Sequence, residues 1–192
     1  LEPDFRTPSS SALATGLALQ HLRENRAPAI HPMVTTAVEY LIATLDANTR
    51  TWAAVAGDTN LHPHAPWWHD ENGSLAERFD DFRIIPVALL TGLLHHYASL
   101  VPADWLDKIT EETVSTIESA RVVGEGGGND LEYAIGLAEA DNLPQNFRER
   151  LKRRILSAIP AAVVRDPALW DSYCITPLKV ISSINSIGAN LI

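Results

Sequence analysis

Cysteine is nearly missing. The chain of 192 residues carries one, Cys174, so no internal disulfide can form, which suits a reducing compartment and points to the cytoplasm. Long apolar runs are missing too: the longest, Ile84 to Leu94, is broken by Pro86, Thr91 and Gly92 and falls short of a bilayer span. Cations are scarce, with 15 Lys+Arg against 24 Asp+Glu and a formal charge of −9. Such a field repels nucleic acid and anionic membrane, and neither is an expected partner. No Val/Ile/Thr-rich run alternates between hairpin turns, so strands are not expected. Methionine occurs once, at Met33, and the chain ends on Leu191-Ile192 without a polar tail. The expectation is a single domain, residues 1–192, taken from a longer chain.

What is present reads as a helical globule. Apolar residues make up 46% and charged residues 20%, ordinary for a folded domain, and the length allows most apolar surface to be buried. Pro8, Pro32, Pro102, Pro144 and Pro177 each stand before or within the first turn of an apolar-periodic segment, where a missing N–H costs nothing. Helices are predicted over 9–24, 32–46, 82–99, 103–119, 130–141, 145–159 and 177–189, with Asp104 and Asn129-Asp130 as side-chain acceptors at two of their starts. Phe147, Leu151, Ile155 and Ile159 form one apolar stripe, opposite a basic face. Ile84 to Ala98 is apolar almost all round, which marks an inner helix.

The segments pair into hairpins with a repeat of about 42 to 47 residues, the range of two-helix repeats. The interval between Pro32 and Pro102 exceeds that unit by about 28 residues, which fall in an inserted loop, residues 47–81. Inserted loops over one face of a repeat scaffold commonly carry function.

Within Ser9–Arg23 and Pro32–Trp52, residues Ala37, Tyr40, Leu41 and Trp52 supply a small residue, an aromatic, an aliphatic and a loop tryptophan. In this arrangement the chain resembles the repeats of the terpenoid-cyclase and protein-prenyltransferase α/α toroid family. The resemblance implies an all-α fold of stacked helical hairpins, inner helices ringed by outer ones, which seven helices would leave open or truncated. The repeat's Gln falls at Leu45 and its Gly near Thr49. The cyclases' Asp-X-Asp-Asp acid has no counterpart, since Asp80-Asp81 follow Arg78-Phe79, and Asp171 before Cys174 lacks the prenyltransferase zinc spacing. Neither activity is carried over.

The densest chemistry is His62-Pro63-His64-Ala65-Pro66-Trp67-Trp68-His69-Asp70-Glu71 in the inserted loop. Imidazoles and carboxylates can hold a divalent transition metal, although the spacing fits no specific metal signature. Trp67 and Trp68, with Trp52, could wall an apolar or sugar-like ligand. The plainer reading is a Pro-stiffened lid, non-helical from Leu61 to Trp68, with a tryptophan ring packed on the inner helix around Leu90 to Tyr97. His95-His96 diverge by about 100° on a helix, so at most one faces the interior, as a core histidine or a general base. Glu77, Asp80 and Asp81 suit the positive end of the following helix. Arg148, Arg150, Lys152, Arg153 and Arg154 form either a solvated face or an anion patch. Gly124, Gly126, Gly127 and Gly128 read as a linker, since no Lys-Ser/Thr follows. Two functions are compatible with this: a non-catalytic domain that binds a small ligand or a protein segment, and an enzyme acting on an isoprenoid or carbohydrate-like substrate under the loop.

Overall fold

The computed structural model describes residues 4, 6–53, 55–72, 84–120, 129–172, 174–181 and 183–191. Seven α-helices lie among them: α1 (Ala12–Glu24), α2 (Pro32–Thr44), α3 (Ile84–His96), α4 (Ala103–Ser119), α5 (Asn129–Ala138), α6 (Gln145–Ala162) and α7 (Pro177–Val180). The described residues hold no strand; an isolated bridge joins Val163 and Ile175. No described helix is long and apolar enough to cross a membrane.

The helix starts show why punctuation was readable. Ser11 Oγ accepts from the Ala14 amide at 3.2 Å and sets the start of α1 later than expected. At α2 the Nδ1 atom of His31 accepts from Met33 N at 3.2 Å, and Pro32 fills the first helical position. Pro102 and Pro144 cap α4 and α6 directly, without a side-chain acceptor, so Asp104 contributes only its charge to the first turn of α4. The expected helix over 177–189 is overturned. It stops at Val180, and Ser183 and Ser186 then bond each other's backbone in a turn. Short hydroxyl side chains that compete for backbone groups favour turns over helix. Glu77, Asp80, Asp81 and the glycines 124 to 128 lie outside the described residues.

The helices pair in chain order, α1 with α2, α3 with α4 and α5 with α6. First helices also touch one another, α1 against α3, α3 against α5 and α5 against α7, while α4 meets α6 in a second row. The chain is thus all-α, with hairpins laid side by side. Ten of the thirteen residues of α3 are buried, as its all-round apolar pattern required. On α4 the buried positions Leu106, Ile109, Thr110, Thr113, Val114 and Ile117 follow helical spacing, and on α6 Phe147, Leu151, Ile155 and Ile159 form the expected stripe. Two apolar clusters result. One joins α1, α2 and Trp52 to Val87, Leu90, Leu93 and Leu94 of α3, and the other joins Ile84 and Ala88 to α5, α6 and α7.

The basic residues of α6 turn out to be mostly structural. Arg148 donates to the carbonyls of Ala138, Ala140 (2.8 Å) and Leu143 (3.3 Å), closing the C-terminal end of α5. Arg154 does the same for α4 through Ala120 O at 2.7 Å, and Arg150 bridges Glu111 (2.8 Å) and Glu118 (2.6 Å). Replacing Arg148 by methionine, which keeps the apolar stem, should cost about 1–3 kcal/mol because three carbonyls lose a charged donor. The same change at exposed Lys152 should stay within about 0.5 kcal/mol. Urea unfolding of both variants measures the contrast.

Candidate functional site

Residues 58–68 of the inserted loop are tied by hydrogen bonds to the N-terminal segment. Two backbone bonds, Arg6 N to Pro63 O (2.9 Å) and Ala65 N to Asp4 O (2.7 Å), zip residues 4–6 to 63–65. Trp67 and Trp68 both donate their indole N–H to Asp4 Oδ2 at 3.2 Å. Asn60 closes the loop, donating to Asp70 O (2.6 Å) and accepting from Asp70 N (3.0 Å). Asp58 accepts the Thr7 and Ser9 hydroxyls and lies 3.6 Å from His62 Nε2; those two hydroxyl bonds hold its carboxyl below the ordinary value. The stretch is extended at His62 to Ala65 but carries short 3-10 turns at Thr59–Leu61 and Pro66–Trp68, a correction to the non-helical expectation.

The expected contact with Leu90 to Tyr97 is made by Trp52 instead. Its ring is 2% exposed within the cluster that contains Leu90, Leu93, Leu94 and Tyr97, and its N–H donates to Leu41 O at 2.8 Å. Trp52 is therefore a buried core residue. Trp67 is 58% exposed, and neither it nor Trp68 belongs to that cluster. Neither of these two rings packs as a lid on the inner-helix cluster.

His64 and His69 do meet. His64 Nε2 and His69 Nδ1 are 3.1 Å apart, with nearly parallel rings (8°) and centroids 5.3 Å apart. That centroid separation is close to the nitrogen gap plus the two ring radii, so the parallel rings meet nearly edge to edge. The Nδ1 atom of His64 lies 2.6 Å from the His62 carbonyl, to which it must donate, so the Nε2 lone pair accepts from His69. Among the described residues no three His, Cys, Asp or Glu side chains converge as a metal-binding group. His62, His64, His69 and Asp70 thus lie together in a folded polar loop.

A second site lies on the row of first helices. An open groove of about 260 Å³ is lined by Arg23 of α1, Leu89, Gly92, Leu93 and His96 of α3, Glu132, Tyr133, Gly136 and Glu139 of α5, and Lys179 of α7. The C-terminal ends of three helices meet at one end of it. Asp141, just beyond α5, accepts from His96 Nδ1 at 2.7 Å and lies 3.7 Å from Arg23 Nη2. With Nδ1–H donating to a carboxylate, the remaining nitrogen of a neutral His96 is a lone-pair acceptor. Burial, aided by Arg23 and opposed by Asp141, holds His96 below its ordinary value. His95 points the other way, 2% exposed, with Nε2 on Thr110 Oγ1 at 2.8 Å, so the two histidines diverge as helical geometry demands.

The floor of the groove is unusual. A Cβ placed on Gly16 would push the end of the Leu90 side chain aside, and Gly188 has φ +86°, so each of these glycines is favoured where it stands. Gly136 is not. It sits inside α5, where glycine costs about 1 kcal/mol relative to alanine, yet a Cβ there meets nothing within 4 Å. The sequence held a weak signal in this interior glycine and in His96, but the groove's walls come from four separate segments and no local pattern joins them. Comparison with known protein families, curated proteins and solved structures finds no match for this chain.

Proposed function

We propose that this chain is a non-catalytic binding domain, built on an open scaffold of the α/α-toroid type, that holds a segment of another protein in the groove over α3 and α5. The observation that carries the reading is Gly136: the helix bears the cost of a glycine that neither contact nor dihedral angle demands, and its effect is to keep the groove floor open. The arrangement of first helices along the groove and second helices behind them supports the scaffold type. Volume favours a protein segment over an isoprenoid. At about 260 Å³ the groove is smaller than the roughly 300–1,000 Å³ that engulf small molecules, but it accepts one or two side chains of an extended chain. The enzymatic alternative draws on His96 held by Asp141.

Peptides selected from a displayed random library on the full chain should bind in the groove, and Gly136→Trp should weaken them at least tenfold. The thermal midpoint of that variant should be unchanged or higher, because the new side chain has open space and improves helix propensity. Selection yielding only peptides indifferent to Gly136→Trp would overturn the proposal.

A further inference from the structure

Glu132 lies one helical turn before Gly136, so the two share a face of α5, and both line the groove. The groove's other carboxylates are committed. Asp141 takes His96 and Arg23, and Glu139 Oε1 accepts the amide of Ile187 at 3.0 Å. Among the described residues no side chain hydrogen-bonds or ion-pairs with Glu132. Glu132 is exposed to solvent, yet partial desolvation by its neighbours raises its carboxyl above the ordinary value, with the nearby Lys179 opposing. Leu89 and Leu93 form an apolar wall beside the open space at Gly136. The chain as a whole carries a formal charge of −9, which draws cationic partners toward it.

We infer that the segment held in this groove is basic and apolar in turn, setting a Lys or Arg side chain against Glu132 and an apolar side chain over Gly136. The inference rests on the groove being the binding site, and it names the chemistry that the site selects. The cation replaces water at a carboxylate that no described side chain ion-pairs, and the apolar residue covers the open space beside Gly136. A carboxylate in the first turn of α5 also suits the helix dipole, but that role would appear in stability and not in the choice of partner.

The test uses a fluorescein-labelled peptide from the selection, its Lys/Arg→Gln analogue, and the full-length chain as wild type, Glu132→Gln and Gly136→Trp. Selected sequences should be enriched in a basic residue beside an apolar one. Glu132→Gln should weaken the parent peptide about tenfold, flatten its salt dependence and leave the analogue's affinity unchanged, with an unaltered thermal midpoint. Glu132→Gln binding like wild type while Gly136→Trp abolishes binding would overturn the cationic partner and leave the groove standing. Binding indifferent to Gly136→Trp would remove the groove reading and this inference together.

Discussion

Replacing Trp52 by alanine should destabilise the chain by about 3–5 kcal/mol, lowering the thermal midpoint by roughly 6–20 °C. The ring is 2% exposed, packed among residues of α1, α2 and α3, and its N–H satisfies the Leu41 carbonyl at 2.8 Å near the end of α2. The substitution removes apolar burial, opens a cavity and leaves a buried carbonyl without its donor. Trp52→Phe separates these effects: it keeps most of the ring but not the hydrogen bond, and should cost about 1–3 kcal/mol. Calorimetric melts of both variants give the comparison. A loss below about 1 kcal/mol for the alanine variant would contradict the assignment of Trp52 to the core.

The second large effect is a pH dependence centred on His95. Thr110 Oγ1 donates to Leu106 O at 2.6 Å, so it must accept from His95 Nε2–H at 2.8 Å, and the ring's lone pair resides on Nδ1. That atom is buried and has no hydrogen-bond partner among the described residues. Protonation would put an N–H there with no acceptor, and desolvation accordingly lowers the group from 6.5 to about 4. The unfolded chain therefore binds more protons than the folded one between these values, and stability falls as pH drops through the window. The loss should reach about 3 kcal/mol near pH 4 and be absent above pH 7. His96, also depressed, adds to it in the same direction. In His95→Leu, which leaves the Thr110 hydroxyl donating to Leu106, urea unfolding at pH 7, 5.5 and 4 should show most of this slope gone. A slope equal to wild type would assign the acid sensitivity to other groups.

The features legible in the sequence were those with a local physical cause. Pro32, Pro102 and Pro144 mark helix starts because a proline's dihedral angle and missing donor act on the residue itself. The stripe of Phe147, Leu151, Ile155 and Ile159 is a property of one helix, and so is the divergence of His95 from His96. Position 177 carried the same proline mark, yet the serines after it ended α7 at Val180. The loop failed differently. Trp52, Trp67 and Trp68 are equivalent as letters, and only the distant Asp4 and the wall of α3 decide which ring is buried and which is tethered at the surface. The groove was least legible, since Arg23, His96, Gly136 and Lys179 come from four helices and the decisive property of Gly136 is the emptiness beside it.

The two apolar clusters have a consequence for cooperativity. Val87, Leu90, Leu93 and Leu94 belong to one cluster and Ile84 and Ala88 to the other, while α4 spans both, Leu106 and Ile109 in the first and Val114 and Ile117 in the second. The chain should therefore unfold as two units with a common wall, since neither can lose α3 without exposing apolar surface in both. Amide protection follows a gradient set by that wall. In native-state hydrogen exchange the α1–α2 hairpin, packed on it from one side, should open as a unit at less than the global free energy, whereas α3 should release its amides only when the whole chain unfolds.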